Sequence, residues 1–193
     1  MTTVSRRRVL ASLASVAVGG TASGRTAETA AGESTQSTDA EQFELYSAFL
    51  TGSNQVPPVE TTALGTALFR VDFDQQRADY WLFVANVENA RESHIHKGPP
   101  DLNGNVVAYL FGPVEEPVST TGLLSSGTLR GDDLVWPLTD VASLREQMAT
   151  ENVYVNVHTT DHPSGEIRGQ IRPLEGVEAG TGVESDDRNR FTA

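Results

Sequence analysis

The chain has 193 residues, no cysteine, 14 basic and 26 acidic groups, and a formal net charge of −12. That length accommodates one domain of ordinary size plus extensions. Without thiols there are no disulfides, thiolate metal ligands or cysteine nucleophile, and the acidity speaks against nucleic acid as a partner.

In chain order, Ser5-Arg6-Arg7-Arg8-Val9-Leu10 precedes a small, apolar run from Ala11 to Gly20 that is too short to span a bilayer. This predicts a twin-arginine signal peptide over residues 1–24, and so a secreted or cell-surface protein with no transmembrane segment in the mature chain. From Arg25 on, 11 basic groups face 26 acidic ones, a net of −15, and Lys97 is the only lysine. An acidic, lysine-poor surface of this kind marks a halophilic protein, whose self-repulsion is screened by abundant counterions. Residues 25–41 lack large apolar side chains and read as a disordered linker, and residues 175–193 read as an acidic disordered tail. The folded unit is expected over residues 42–174.

Within that unit apolar residues recur with period two. Gly65, Ala67, Phe69, Val71 and Phe73 alternate with Thr66, Arg70 and Asp72, Leu68 being the exception. Residues 43–50, 78–87, 106–111, 153–159 and 166–172 are further strand candidates, punctuated by turns at Asp74-Gln75-Gln76-Arg77 and Asn103-Gly104-Asn105. One helix is predicted over residues 141–149, with Asp140 as N-cap and Val141, Leu144 and Met148 on one face. The pattern predicts an all-β fold, an antiparallel Greek-key, immunoglobulin-like β-sandwich with one short helix.

All four histidines fall in two segments, His94-Ile95-His96 and His158-Thr159-Thr160-Asp161-His162. On an extended segment His94 and His96 leave the same face, roughly 6.6–6.8 Å apart along the strand, so two imidazoles can converge on one ion. His158 shares a face with Tyr154 and Asn156, opposite Val153, Val155 and Val157. His162 sits in a hairpin-like connection beside it. A site built from His94, His96, His158 and His162 suits zinc or copper far better than calcium. The alternative is that the rings are simply hydrogen-bonded to a backbone carbonyl and to Glu92, Glu166 or Asp161, with no ion. Arg168, alternating with Glu166 and Gln170, reads as a cross-strand partner of Glu166 or Glu44 on a solvent face. Asp132-Asp133 reads as a turn, and Ser93, adjacent to His94, points to the opposite face and is no nucleophile for it.

The order of segments resembles the CHRD domain, the module named from chordin and also found singly in exported microbial proteins. The resemblance rests on Phe49-Leu50-Thr51-Gly52-Ser53-Asn54-Gln55-Val56-Pro57-Pro58-Val59, on Ser93-His94-Ile95-His96-Lys97-Gly98-Pro99, and on Tyr154-Val155-Asn156-Val157-His158-Thr159 followed by Gly165-Glu166-Ile167-Arg168-Gly169-Gln170-Ile171. It implies an extracellular β-sandwich. Growth-factor antagonism, the setting of chordin, is not carried over, because the cysteine-rich modules behind much of it need disulfides. More loosely, His-x-His on a strand followed by a glycine-rich loop is similar to copper/zinc superoxide dismutase, but no bridging histidine, zinc loop or disulfide accompanies it. The expectation is an exported binding module whose histidines hold a transition metal or small polar ligand, its partner being a protein or small ligand outside the cell. The alternatives are a copper redox enzyme and a purely structural envelope module.

Overall fold

The computed structural model describes residues 43–174. The expected signal peptide, linker and acidic tail lie outside the described residues. Eight strands are observed in chain order: β1 (Phe43–Thr51), β2 (Leu64–Asp72), β3 (Arg77–Lys97), β4 (Val106–Phe111), β5 (Val118–Leu129), β6 (Val153–Thr159), β7 (Ile167–Gln170) and the short β8 (Arg172–Pro173), with one helix, α1 (Val141–Ala149), before β6. Among the described residues no helix is long and apolar enough to cross a membrane.

All named strand pairings are antiparallel. Following them from β2 through β1, β7, β6 and β3 leads back to β2, so the sheet closes into a barrel-like ring. The antiparallel all-β class with one helix therefore matches the sequence pattern. The pairings by themselves describe a closed ring and do not spell out an immunoglobulin-like Greek-key order.

Ring closure depends on β3, a single strand of 21 residues. Its first half pairs with β2 and β5, and its second half with β6 and β4. Between the halves, Asn86 and Asn89 adopt positive φ of 56° and 55°, a conformation asparagine tolerates better than most residues. Register shifts against β5 fall at the same place, and such bulges bend a strand. The bend lets one strand serve two walls.

The ring interior is filled by alternate residues of each strand. Tyr46, Ala48 and Leu50 of β1, Phe69 and Val71 of β2, Leu82 and Ile95 of β3, and Val153, Val155 and Val157 of β6 are all buried in one core. Helix α1 adds Val141, Leu144 and Met148. It begins where expected: Asp140 Oδ1 accepts from the Ser143 amide at 2.7 Å, and Ser143 Oγ returns a bond to the Asp140 carbonyl at 2.7 Å. The helix is tied to β1 by Arg145, which grips both carboxylate oxygens of Glu44, while Tyr46 donates to the same carboxylate. Those contacts hold the Glu44 carboxyl below its ordinary range, the Arg145 bond being the largest cause.

Candidate metal centre

The outward face of the β3–β6–β7 wall carries the polar residues. In register, Glu92 stands opposite His158, His94 opposite Asn156, and His96 opposite Tyr154. One strand further, Asn156 faces Arg168 and Tyr154 faces Gln170. Directly opposed residues share a face, so these side chains form one outward set while Ser93, Ile95, Val155 and Val157 turn inward. The inward placement of Ser93 is as expected: its hydroxyl donates to the Asn156 carbonyl at 2.6 Å.

Every residue of β6 is buried, on both faces. The outer face is covered by the segment 98–105, which follows β3, and by the segment after β1, to which it is bonded from Asn103 Nδ2 to the Val56 carbonyl at 2.6 Å. Gly104 allows the cover to sit this close, because a Cβ there would lie 1.6 Å from the Lys97 carbonyl oxygen. Gly165 plays the matching part at the β6–β7 turn: its φ is +112°, and a Cβ would meet Gln55 Nε2 at 2.5 Å.

Under this cover the His94, His96 and His158 rings converge, with one nitrogen from each ring lying within 4.8 Å of the others. They are 4%, 8% and 8% exposed, so their nitrogens have little water to bond. Three histidines are thus close enough to hold a metal ion. The outward nitrogens find oxygen. His158 Nδ1 is 2.9 Å from the Pro163 carbonyl, and His96 Nδ1 is 2.9 Å from the Gly104 carbonyl. A carbonyl oxygen can only accept, so each Nδ1 carries the proton and each Nε2 is left with a lone pair. On His94 the outward atom is Nε2, which lies 3.3 Å from Glu92 Oε2, near enough for a charge contact but not aligned as a hydrogen bond.

The inward nitrogens are His158 Nε2, His94 Nδ1 and His96 Nε2. His94 Nδ1 is 3.2 Å from His158 Nε2, Asn156 Oδ1 is 3.0 Å from that same nitrogen, and His96 Nε2 has no hydrogen-bond partner. Burial, followed by the neighbouring His158 and His96, pulls the His94 pKa down from 6.5 to about 4. Burial also lowers that of His96, against an opposing hydrogen bond to Gly104. His94 and His96 are thereby kept neutral at neutral pH, the form in which an imidazole binds a metal. A cavity of about 230 Å³ lined by Glu92, His158 and Pro163 provides an approach.

His162 stands apart from this trio. Its carbonyl closes the turn by accepting from the Thr159 and Gly165 amides, and its amide donates to Thr159 Oγ1. Arg168 is a correction to the sequence reading: it is not on a solvent face, and among the described residues it is ion-paired with no acid. It is 1% exposed, its guanidinium lies 3.5 Å from the centre of the Tyr154 ring, and it donates to Pro99, Leu102 and Asn103. Glu166 instead accepts from Thr61 at 2.6 Å, and Glu44 serves Arg145. Asn156, Gln55 and the Gly104 and Pro163 carbonyls are site features that sequence reasoning did not assign. Only Asn156 left a signal, its shared face with His158.

The fold and the site together define an antiparallel β module with a buried histidine trio on its outer wall. A family model described as the CHRD domain matches residues 46–171, and the chain belongs to that family, whose domains are extracellular-type modules. No curated protein and no solved structure matches the chain.

Proposed function

We propose that this protein is an exported binding module whose His94, His96 and His158 hold a single transition-metal ion, zinc or copper. One observation carries the reading. Each of the three rings has an oxygen at its outward nitrogen, namely the Gly104 carbonyl, the Pro163 carbonyl and the Glu92 carboxylate. An outward proton on His96 and on His158 leaves both Nε2 lone pairs inside the cluster beside His94 Nδ1, where one cation would satisfy all three nitrogens. Outer oxygens that fix tautomer and ring orientation in this way are the usual support of a histidine metal site.

The spacing agrees. With Zn–N bonds of about 2.0–2.1 Å, tetrahedral nitrogens stand roughly 3.3 Å apart, and His94 and His158 already do so at 3.2 Å. His96 must move closer, the three nitrogens lying within 4.8 Å of one another. Three nitrogens leave a fourth position open, which in an all-nitrogen site favours zinc or copper over calcium or magnesium. His162 is at most an accessory group at the turn. Export rests on the Ser5-Arg6-Arg7-Arg8 signal and on membership of an extracellular-type family. Mature chain recovered from outside the cell is therefore the sample of choice, and a chain retained inside with Arg6–Arg8 intact would overturn export.

At about pH 7.5 the mature protein is expected to take up one equivalent of zinc or copper and to release it only as the pH falls toward about 4, where His94 protonates. Elemental analysis and calorimetric titration against a His94→Ala/His96→Ala variant provide the measurement. Equal uptake by a folded double variant, or none by the wild type, would sink the proposal and leave a structural envelope module.

A further inference from the structure

A second, larger cavity of about 530 Å³ lies on the other side of Tyr154 from the histidines, between the end of β1, the segment after it and β7. Tyr154 stands between His96 and Arg168. His96 is stacked with its ring at 5.0 Å from the β3 side, and Arg168 reaches it from the β7 side. We propose that this cavity binds a small organic monocarboxylate, with the Arg168 guanidinium as its anchor. The assignment is independent of the metal reading.

The Arg168 guanidinium is a buried charge that has no direct ion pair among the described residues, Asp101 acting on it only through space. Arg168 lines the cavity, and its hydrogen bonds are all to neutral oxygens: the Pro99 carbonyl at 2.8 Å, the Leu102 carbonyl at 3.1 Å and Asn103 Oδ1 at 3.3 Å. A guanidinium has five N–H donors, so these three bonds leave two without a partner. Among the described residues no carboxylate is ion-paired with it. Arginines held by neutral carbonyls with donors to spare are suited to a planar carboxylate. A buried charge is costly, and Arg168, at 1% exposed, is held only by neutral oxygens, so an external anion in the cavity would stabilise it.

The remaining lining narrows the ligand. Gln55 lines the cavity too, but its Nε2 is buried against the Gly165 turn, so the charge-bearing group at the wall is Arg168. Phe49 is 60% exposed and presents an aromatic surface to the same space, which favours an apolar body on the acid. Asp101 also lines the cavity and repels a second negative charge, so a monoanion fits better than a dicarboxylate or phosphate. Arg172 adds positive potential but is paired with Glu151 at 3.3 Å. The volume is that of an ordinary small-molecule site.

Benzoate, benzamide and sulfate are the probes, titrated calorimetrically into the mature protein with and without zinc. Benzoate is expected to bind one to one and at least about tenfold tighter than its neutral isostere benzamide, as a charge-assisted bond requires. Phe49→Ser, an exposed substitution that leaves the fold intact, should weaken benzoate severalfold, and Arg168→Gln should abolish its advantage over benzamide. The wild-type comparison stands even if the arginine variant does not fold. No binding at millimolar benzoate, equal binding of benzamide, or displacement of benzoate by sulfate at similar concentration would each overturn the assignment.

Discussion

At the scale of single residues, the site is governed by where each ring nitrogen points. His94 and His96 sit on one strand and would be interchangeable by spacing alone, yet His94 turns Nδ1 inward and His96 turns Nε2 inward. Partners outside the cluster make the difference. Their burial also links acidity to stability in the metal-free protein. With its folded pKa near 4 against an ordinary 6.5, His94 resists protonation in the fold but not in the unfolded chain. Its contribution is complete above about pH 6.5 and is lost as pH falls toward 4, with His96 acting in the same direction. The difference in melting temperature between the metal-free wild type and His94→Gln should therefore shrink from about pH 7 to about pH 4.5. A difference that stays constant over this range would contradict the burial argument.

At the scale of elements, what could be read from sequence was whatever buries one face. Strand β2 alternates and was legible; α1 carries its cap and its apolar stripe and was found over the same residues. Replacing Asp140 with Ala should cost about 1 kcal/mol, seen as a loss of roughly 3–5 °C in thermal melts; an unchanged melt would mean that the Ser143 interactions suffice. Strand β5 was not legible, because it lies along the outside of β3, buries only Leu129, and is built largely of Ser, Thr and Gly. The β7 pattern Glu166-Ile167-Arg168-Gly169-Gln170 was misread for the opposite reason. Period-two alternation tells which residues share a face, but not that a distant loop will cover that face and bury an arginine there. The histidine trio was legible because β3 and β6 are neighbours and each carries its ligand candidates at even spacing. The carbonyls that orient the rings belong to loops and leave no mark in the side-chain pattern.

At the scale of the whole molecule, one bent strand joins the wall that seals the core to the wall that carries the site, and the bend is also a counting device. In the first half of β3 the residues turned inward are even-numbered: Ala78, Tyr80, Leu82 and Val84. The inward series then takes three steps of three: to Val87 and to Ala90, each passing one left-handed asparagine, and to Ser93 across a register shift against β6, so that it reaches Ile95 with odd parity. Had β3 run on without interruption, His94 and His96 would have faced the core and Ile95 the cover. The sidedness of the cluster is thus set by backbone geometry between Val84 and Ser93, outside the histidines themselves. Deleting Glu88, which touches none of the three rings, should undo one of these steps and abolish metal uptake, whereas deleting Gln75 from the β2–β3 turn should spare it. If the Glu88 deletion keeps both its melting temperature and its metal, parity is being restored elsewhere along the strand.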